Sequence, residues 1–123
     1  MLECTELQKK IFGLKISEPR LPEDEVRLIE SLDAILAGER FGLVLSVEGK
    51  AAFTLEGKKQ LNLWFKKNRQ LLKERCIGLV RVNRDASKLA RLKSKALSLA
   101  MPCPYRVVEQ DQEALEYLRR KLE

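Results

Sequence analysis

The sequence contains no histidine, and its three cysteines lie far apart. Without histidine the chain lacks the residue that most often acts as a general base, and a Ser–His–Asp triad cannot form. Cys4, Cys76 and Cys103 include no C-x-x-C pair, so zinc coordination and thioredoxin-like redox chemistry have no motif here. A disulfide framework is not expected, and a reducing cytoplasm fits this cysteine usage best.

Long apolar runs and a phosphate-binding loop are also missing. No stretch approaches the ~18 apolar residues of a membrane-spanning helix, and the first residues do not resemble a signal peptide. The phosphate-loop pattern G-x-x-x-x-G-K is absent. Aromatic residues make up 6% of the chain, which leaves no visible platform for stacking nucleic-acid bases. We expect no catalytic residue, no metal and no cofactor.

The sequence does contain enough apolar material for one folded domain, together with an uneven distribution of charge. Its 123 residues are 45% hydrophobic and 34% charged, which predicts a single globular domain over 1–123. Residues 1–49 carry 6 basic and 10 acidic side chains, whereas residues 50–106 carry 15 basic and 3 acidic ones. This asymmetry is typical of a basic binding face, and equally of a dipolar surface that only keeps a protein soluble.

Strand and helix patterns alternate along the chain. Apolar runs predict strands over 11–16, 41–47, 76–82 and 105–108, with a short strand over 2–7 as the first arm of a hairpin. Helical spacing and capping residues predict helices over 22–37, 54–75, 85–100 and 111–122. This order predicts an α/β fold: a small, mostly parallel sheet of four or five strands flanked by four helices.

The apolar faces of the first two predicted helices identify candidate core residues. They are Val26, Ile29, Leu32, Ile35 and Leu36 in the first helix, and Leu61, Trp64, Phe65, Asn68 and Leu72 in the second. Cys76 begins a predicted buried strand and is expected to be a small core residue. Cys103 lies between two prolines and is expected to be more exposed.

The arrangement of these elements resembles the STAS domain, named for sulphate transporters and anti-sigma-factor antagonists, and in particular its stand-alone bacterial branch. The resemblance covers about residues 2–122. It rests on the segments 11–16, 22–37, 41–47 and 77–82, on the helix that contains Trp64, and on the closing helix with 114–118. It implies a STAS-like topology and a non-enzymatic, regulatory role that depends on binding a partner protein.

The resemblance also implies where a regulatory switch would lie. The family carries a phosphorylated Ser or Thr at the start of the helix after the central strand, commonly within Asp-Ser-Ser/Thr-Gly. The matching segment 48–57 has Thr54 as its only hydroxyl residue and lacks the Asp-Ser pair. Partner binding is therefore favoured over a kinase-regulated switch, and phosphorylation of Thr54 stays open.

Ligands of open parallel sheets bind beyond the carboxyl ends of the strands. The loops predicted there supply the residues of a partner-binding or switch site: Glu48, Lys50, Thr54, Asn83, Arg84 and Asp85. Helices predicted to begin near Thr54 and Asp85 offer backbone N–H groups that attract anions. Both residues are also ordinary helix caps.

A second candidate surface is basic. On the helix predicted over 54–75, Leu63 points away from the core among Lys58, Lys59, Lys66, Arg69 and Lys73. On the next predicted helix, Lys88, Arg91 and Lys95 line up at helical spacing. If these two helices pack side by side, their stripes merge into one basic face.

Three functions are compatible with these surfaces. The leading one is a non-enzymatic protein-interaction or regulatory module whose partner is a protein, plausibly an acidic one. The first alternative is a nucleic-acid-binding accessory protein that uses the basic helical face. The second is a small-ligand carrier or an enzyme at the crevice beyond the strand ends. The sequence does not decide whether the chain forms a homo-oligomer.

Overall fold

A five-stranded sheet forms the centre of the computed structural model, which describes residues 1–17, 21–47, 55–82 and 101–122. The strands are β1 (Leu2–Gln8), β2 (Ile11–Ile16), β3 (Phe41–Val47), β4 (Cys76–Val82) and β5 (Tyr105–Val108). They lie side by side in chain order. The first two form an antiparallel hairpin, and every later neighbouring pair is parallel. The predicted α/β class with a small, mostly parallel sheet is confirmed.

Four helices flank this sheet within the described residues. They are α1 (Asp24–Leu36), α2 (Leu55–Lys67), α3 (Arg69–Arg75) and α4 (Asp111–Leu122). The helix predicted over 85–100 lies outside the described residues.

The prediction of one continuous helix over 54–75 is wrong, because Asn68 interrupts it between the end of α2 at Lys67 and the start of α3 at Arg69. Asn68 has φ −102° and ψ 17°, which are not helical values. Its side-chain amide donates a hydrogen bond to the carbonyl oxygen of Trp64 at 3.0 Å. The backbone N–H of Asn68 donates to the same oxygen at 3.0 Å, so both groups of Asn68 bond the preceding turn at the interruption.

Both faces of the central strands are covered by apolar side chains. On one face Leu14, Leu43 and Leu79 pack in a cluster with residues of α1 and α2. On the other face Val44 and Val80 pack in a second cluster with residues of α4. Coverage on both faces explains the continuous apolar run of β3, which the sequence predicted, because a strand buried on both sides does not need to alternate.

Two glycines bring α4 close to the sheet. A methyl group added at Gly42 would lie 3.1 Å from Leu118 Cδ1, and one added at Gly78 would lie 2.9 Å from Leu118 Cδ2. Leu118 is fully buried. The two glycines therefore form a shallow depression in β3 and β4 that this leucine fills.

The inner face of α1 differs from the prediction. Val26, predicted to face the core, is 61% exposed, while Leu28 is buried with Leu32 and Leu36. The buried residue of the first turn is Asp24, whose exposed fraction is 0%. The buried face of α1 is thus rotated about the helix axis from the face that the apolar residues alone predict, because the Asp24 carboxylate occupies an inner position.

The Asp24 carboxylate joins the start of α1 to the start of β1. Its Oδ1 accepts a hydrogen bond from the backbone N–H of Leu2 at 3.1 Å, and its Oδ2 accepts one from Leu21 at 2.9 Å. The amino group of Met1 lies 2.9 Å from Oδ2. Burial alone would raise the pKa of Asp24, but these donors and the ammonium charge outweigh burial and lower it.

Cys103 is buried like Cys76, although its flanking prolines had suggested greater exposure. Cys103 is 7% exposed, close to the 4% of Cys76, and both belong to the core cluster under α1. Pro102 and Pro104 flank Cys103 just before β5, where its side chain points into the core, so the two prolines do not indicate an exposed thiol.

We expect the fit between Leu118 and Gly78 to appear as non-additive stability. Leu118→Ala should lower the free energy of unfolding by about 2–5 kcal/mol because it leaves a cavity, and Gly78→Ala by about 1–3 kcal/mol because it overpacks the site. The double variant should lose less than the sum, since the added methyl group occupies part of the cavity. Urea unfolding followed by the fluorescence of Trp64, the one tryptophan, measures all three. Additivity within about 0.5 kcal/mol would contradict the contact.

Asp24 should make stability depend on pH in the acid range. Its pKa in the folded state lies below the ordinary value of 3.8, so the unfolded chain binds the extra proton. The carboxylate therefore stabilises the fold fully above pH ~4, and this contribution disappears as the pH falls through the folded-state pKa. Asp24→Asn should cost about 1–3 kcal/mol at neutral pH, because one N–H then faces an amide N–H₂ group.

Urea unfolding of both proteins from pH 7 to pH 2.5 measures this difference. The two unfolding free energies should converge as the pH falls. Glu23→Gln is the matched control, because Glu23 is exposed and its side chain makes no capping hydrogen bond. A gap that stays constant with pH would contradict the role of the charged carboxylate.

Candidate docking face

The inner side of α2 is fixed against α1 by its tryptophan. Trp64 is buried, and its indole Nε1–H donates a hydrogen bond to Asp33 Oδ1 at 2.6 Å. Phe65 meets the Trp64 ring edge to face, with the ring centroids 5.3 Å apart. This anchoring sets the rotation of α2 about its own axis and therefore decides which residues face solvent.

A second hydrogen bond holds the end of α3. The guanidinium of Arg75 donates to the carbonyl oxygen of Leu36 at 2.6 Å, and this oxygen belongs to the last residue of α1. Carbonyl groups at a helix end lack a partner within the helix, so Arg75 satisfies one of them. The pair α2–α3 is thus attached to α1 near its middle, through Trp64, and at its C-terminal end, through Arg75.

The outer side of α2 carries lysines and two exposed leucines. Lys59 and Lys66 are exposed, Leu63 is 50% exposed, and Leu55 in the first turn is 87% exposed. On α3, Lys73 is exposed. We call these residues, together with Arg69, the docking face. The sequence pattern had singled out every member except Leu55. Leu55 is two helical turns before Leu63, and that spacing is the signal that could have identified it.

The lysines of this face have no acidic partner among the described residues. The described ion pairs join Met1 to Asp24 and Lys10 to Glu39, and none involves Lys59, Lys66 or Lys73. Both acidic residues of α2 and α3 bind glutamines instead: Gln60 donates to Glu56 at 2.8 Å, and Gln70 donates to Glu74 at 3.0 Å. Within the described part of the chain, no carboxylate therefore neutralises Lys59, Lys66 or Lys73.

Several residues of the predicted sites lie outside the described part of the chain. They are Glu48, Lys50, Thr54, Asn83, Arg84 and Asp85 of the loop site, and Lys88, Arg91 and Lys95 of the second basic stripe. Lys58 lies within α2, but its side chain is not described. The loop site and the merging of the two basic stripes therefore stay predictions.

A small cavity lies between the sheet and the helices near the carboxyl ends of the strands. Its volume is about 40 Å³, and apolar residues of β2, α1 and α2 line most of it. Ser46 and Arg81 add polar atoms to its wall. Next to Arg81, burial raises the pKa of the Tyr105 hydroxyl, and the nearby guanidinium opposes part of that rise. This volume suits one or two water molecules rather than an organic ligand.

The described residues contain no group of three or more Cys, Asp or Glu side chains that could hold a metal ion. In the same part of the chain, no helix has the length and apolar character needed to cross a membrane.

Comparisons with known proteins identify the fold. No protein-family model matches the chain, and no curated protein matches it in sequence. A solved structure from Shewanella loihica PV-4, an uncharacterised protein of the DUF3478 family with a SpoIIAA-like fold, is similar with a TM-score of 0.57. The two chains are 14% identical, and the match covers 96% of this chain and 92% of the other. The chain therefore has a SpoIIAA-like, that is STAS-like, fold.

The bond between Trp64 and Asp33 should control the attachment of α2. Asp33→Ala leaves the indole N–H of a buried side chain without its acceptor, so we expect a loss of about 1–3 kcal/mol in the free energy of unfolding. The emission of Trp64 should shift to the red in the folded variant as water reaches the ring. Fluorescence and urea unfolding measure both effects. An unchanged spectrum together with unchanged stability would contradict this anchoring role.

Proposed function

We propose that this chain is a non-enzymatic protein-interaction module and that its docking face binds an acidic segment of a partner protein. The observation that carries the proposal is the combination on one helix face of exposed Leu55 and Leu63 with lysines that no described carboxylate neutralises. A STAS-like fold supports a binding role by likeness of fold only.

The chemistry of the face favours a particular kind of partner. Exposed lysines attract carboxylates at a distance and speed association, and the effect weakens as salt screens the charges. Exposed leucines gain free energy when a partner covers them, at roughly 25 cal/mol per Å² of apolar surface. A segment that offers acidic residues around one or two apolar residues satisfies both requirements.

The predicted switch would act next to this face. Thr54 directly precedes Leu55, the first residue of α2. A phosphate at Thr54 would place about two negative charges at the start of a helix whose outer side is basic. Such a charge would compete with an acidic partner, which is the regulation we propose for a phosphorylated form.

The remaining parts of the proposal rest on the sequence. The absence of histidine supports a non-enzymatic role because the most frequent general base is missing. Three unpaired, widely spaced cysteines support a cytoplasmic location, where thiols stay reduced. The resemblance to stand-alone STAS domains supports a bacterial regulatory pathway.

Charge reversal on the docking face tests the proposal. The variants are Lys66→Glu, which places a negative charge on the face, and Leu63→Ser, which removes an apolar contact. Each should weaken capture of the partner at least tenfold while leaving the melting temperature nearly unchanged, because both side chains are exposed. Tagged protein in nuclease-treated lysate, followed by quantitative mass spectrometry, measures the capture.

Two variants on other elements serve as matched controls. Lys9→Glu makes the same charge change in the turn between β1 and β2, and Val26→Ser removes an exposed apolar side chain from α1. Both should capture the partner as the unchanged protein does. Equal loss in the controls and in the docking-face variants would contradict a specific face.

The nucleic-acid alternative is tested with the same variants. A fluorescent 20-base-pair duplex should bind weakly and without dependence on Lys66. Tight binding to the duplex that falls steeply with salt and is lost in Lys66→Glu would show that the face binds a nucleic-acid phosphate backbone instead of an acidic protein.

A further inference from the structure

Two buried thiols meet where β4 and β5 begin. Cys76 is the first residue of β4, and Cys103 precedes Tyr105, the first residue of β5, by two positions. The two segments lie side by side, because Leu79 of β4 pairs with Tyr105 and its backbone N–H donates to the carbonyl oxygen of Pro104 at 2.8 Å. Cys76 Sγ donates to the carbonyl oxygen of Gly78 at 3.4 Å. Neither the fold nor the docking face requires two cysteines at this position.

A β-bulge in β4 brings the two thiols to the same side of the sheet. Phe41 pairs with Cys76 and Gly42 pairs with Gly78, so Ile77 is an extra residue in β4. Ile77 packs in the cluster under α4, whereas Cys76 packs with Cys103 in the cluster under α1. Regular alternation back from Leu79 would have placed Cys76 on the α4 side.

We propose that Cys76 and Cys103 form a dithiol site that a hydroperoxide oxidises to an intrachain disulfide. The site is chemically different from the docking face and does not depend on the proposed function. The class of oxidant follows from the size of the site, because a small neutral peroxide can enter a core that excludes larger reagents when the start of β5 opens locally.

Cys103 is the thiol that reacts first. The neighbouring Cys76 thiol lowers the pKa of the Cys103 thiol despite burial, whereas the Cys103 thiol and burial raise the pKa of Cys76. The Cys103 thiolate attacks one peroxide oxygen and breaks the O–O bond, giving a sulfenic acid and a hydroxide that takes up the thiol proton to form water. Cys76 then attacks the sulfenic sulfur, its proton leaves with the hydroxyl group as a second water, and the S–S bond forms. Two thiols and one hydrogen peroxide thus yield one disulfide and two waters.

The disulfide would tie the docking helices to the far edge of the sheet. Cys76 is also the C-cap residue of α3, and Cys103 leads into the last strand of the sheet. The bond closes a covalent loop from 76 to 103, which lowers the entropy of the unfolded chain and stabilises the fold.

Peptide mapping of the full chain tests the proposal. The reduced protein is treated with one equivalent of hydrogen peroxide, free thiols are blocked with N-ethylmaleimide, and the chain is digested with trypsin. The three cysteines fall in separate tryptic peptides, 1–9, 76–81 and 96–106. We expect peptides 76–81 and 96–106 to be joined with the loss of two hydrogen atoms, and dithiothreitol to separate them. The oxidised protein should melt about 5–15 °C higher than the reduced one.

Variants decide the order of events and the specificity. Cys4→Ser is the matched control and should form the same bond as the unchanged protein, since Cys4 is exposed on β1. Cys76→Ser should retain a sulfenic acid on Cys103 that dimedone traps, while Cys103→Ser should react at least tenfold more slowly. Links through Cys4, sulfonic acids on both peptides without a link, or blocked free thiols at both positions would overturn the proposal.

Discussion

Burial of β3 and β4 on both faces is the constraint on which the rest of this structure depends. A parallel strand in this position cannot expose either face, so helices must cover both sides of the sheet. On the α4 side, Gly42 and Gly78 let the backbone approach closely enough for Leu118 to fill the space between them. On the other side, α1 and the pair α2–α3 provide the cover, and the packing of α2 against α1 leaves the opposite side of α2 in solvent.

The candidate site is a consequence of that cover. Trp64 donates to Asp33 and Arg75 donates to the last carbonyl of α1, so α2–α3 is attached through its inner side at its middle and at its C-terminal end. Because the inner side of α2 packs against α1, Lys59, Leu63 and Lys66 on its opposite side face solvent. The docking face is therefore set by contacts that its own residues do not make, and exposed residues can change there at little cost in stability.

Much of the fold could be predicted from the sequence because its signals are local and apolar. The continuous apolar runs of β3 and β4 reflect burial on two faces, and the helical spacing of apolar residues in α4 reflects burial on one face. The rotation of α1 could not be predicted in the same way. Its inner first-turn residue is Asp24, and a buried carboxylate is indistinguishable in sequence from an exposed one until its donors, Leu2 and Leu21, are known.

Other departures have the same physical origin. The interruption at Asn68 depends on the backbone conformation of one residue, and the bulge at Ile77 depends on pairing between strands that are distant in sequence. Of the docking face, the lysines and Leu63 were found from helical periodicity, and the spacing between Leu55 and Leu63 carries the same signal. The burial of Cys103 was not predicted, because flanking prolines restrict the local backbone but do not determine whether other elements cover the side chain.

The bulge at Ile77 connects the two parts of the molecule that carry the proposals. It lies two residues after the end of α3, and it places Cys76 on the same side of the sheet as Cys103. A covalent bond there would act on α3 at its C-cap, whereas a phosphate at Thr54 would act at the beginning of α2. The two chemical changes would therefore reach the docking face from opposite ends of one continuous segment, one through backbone constraint and the other through charge.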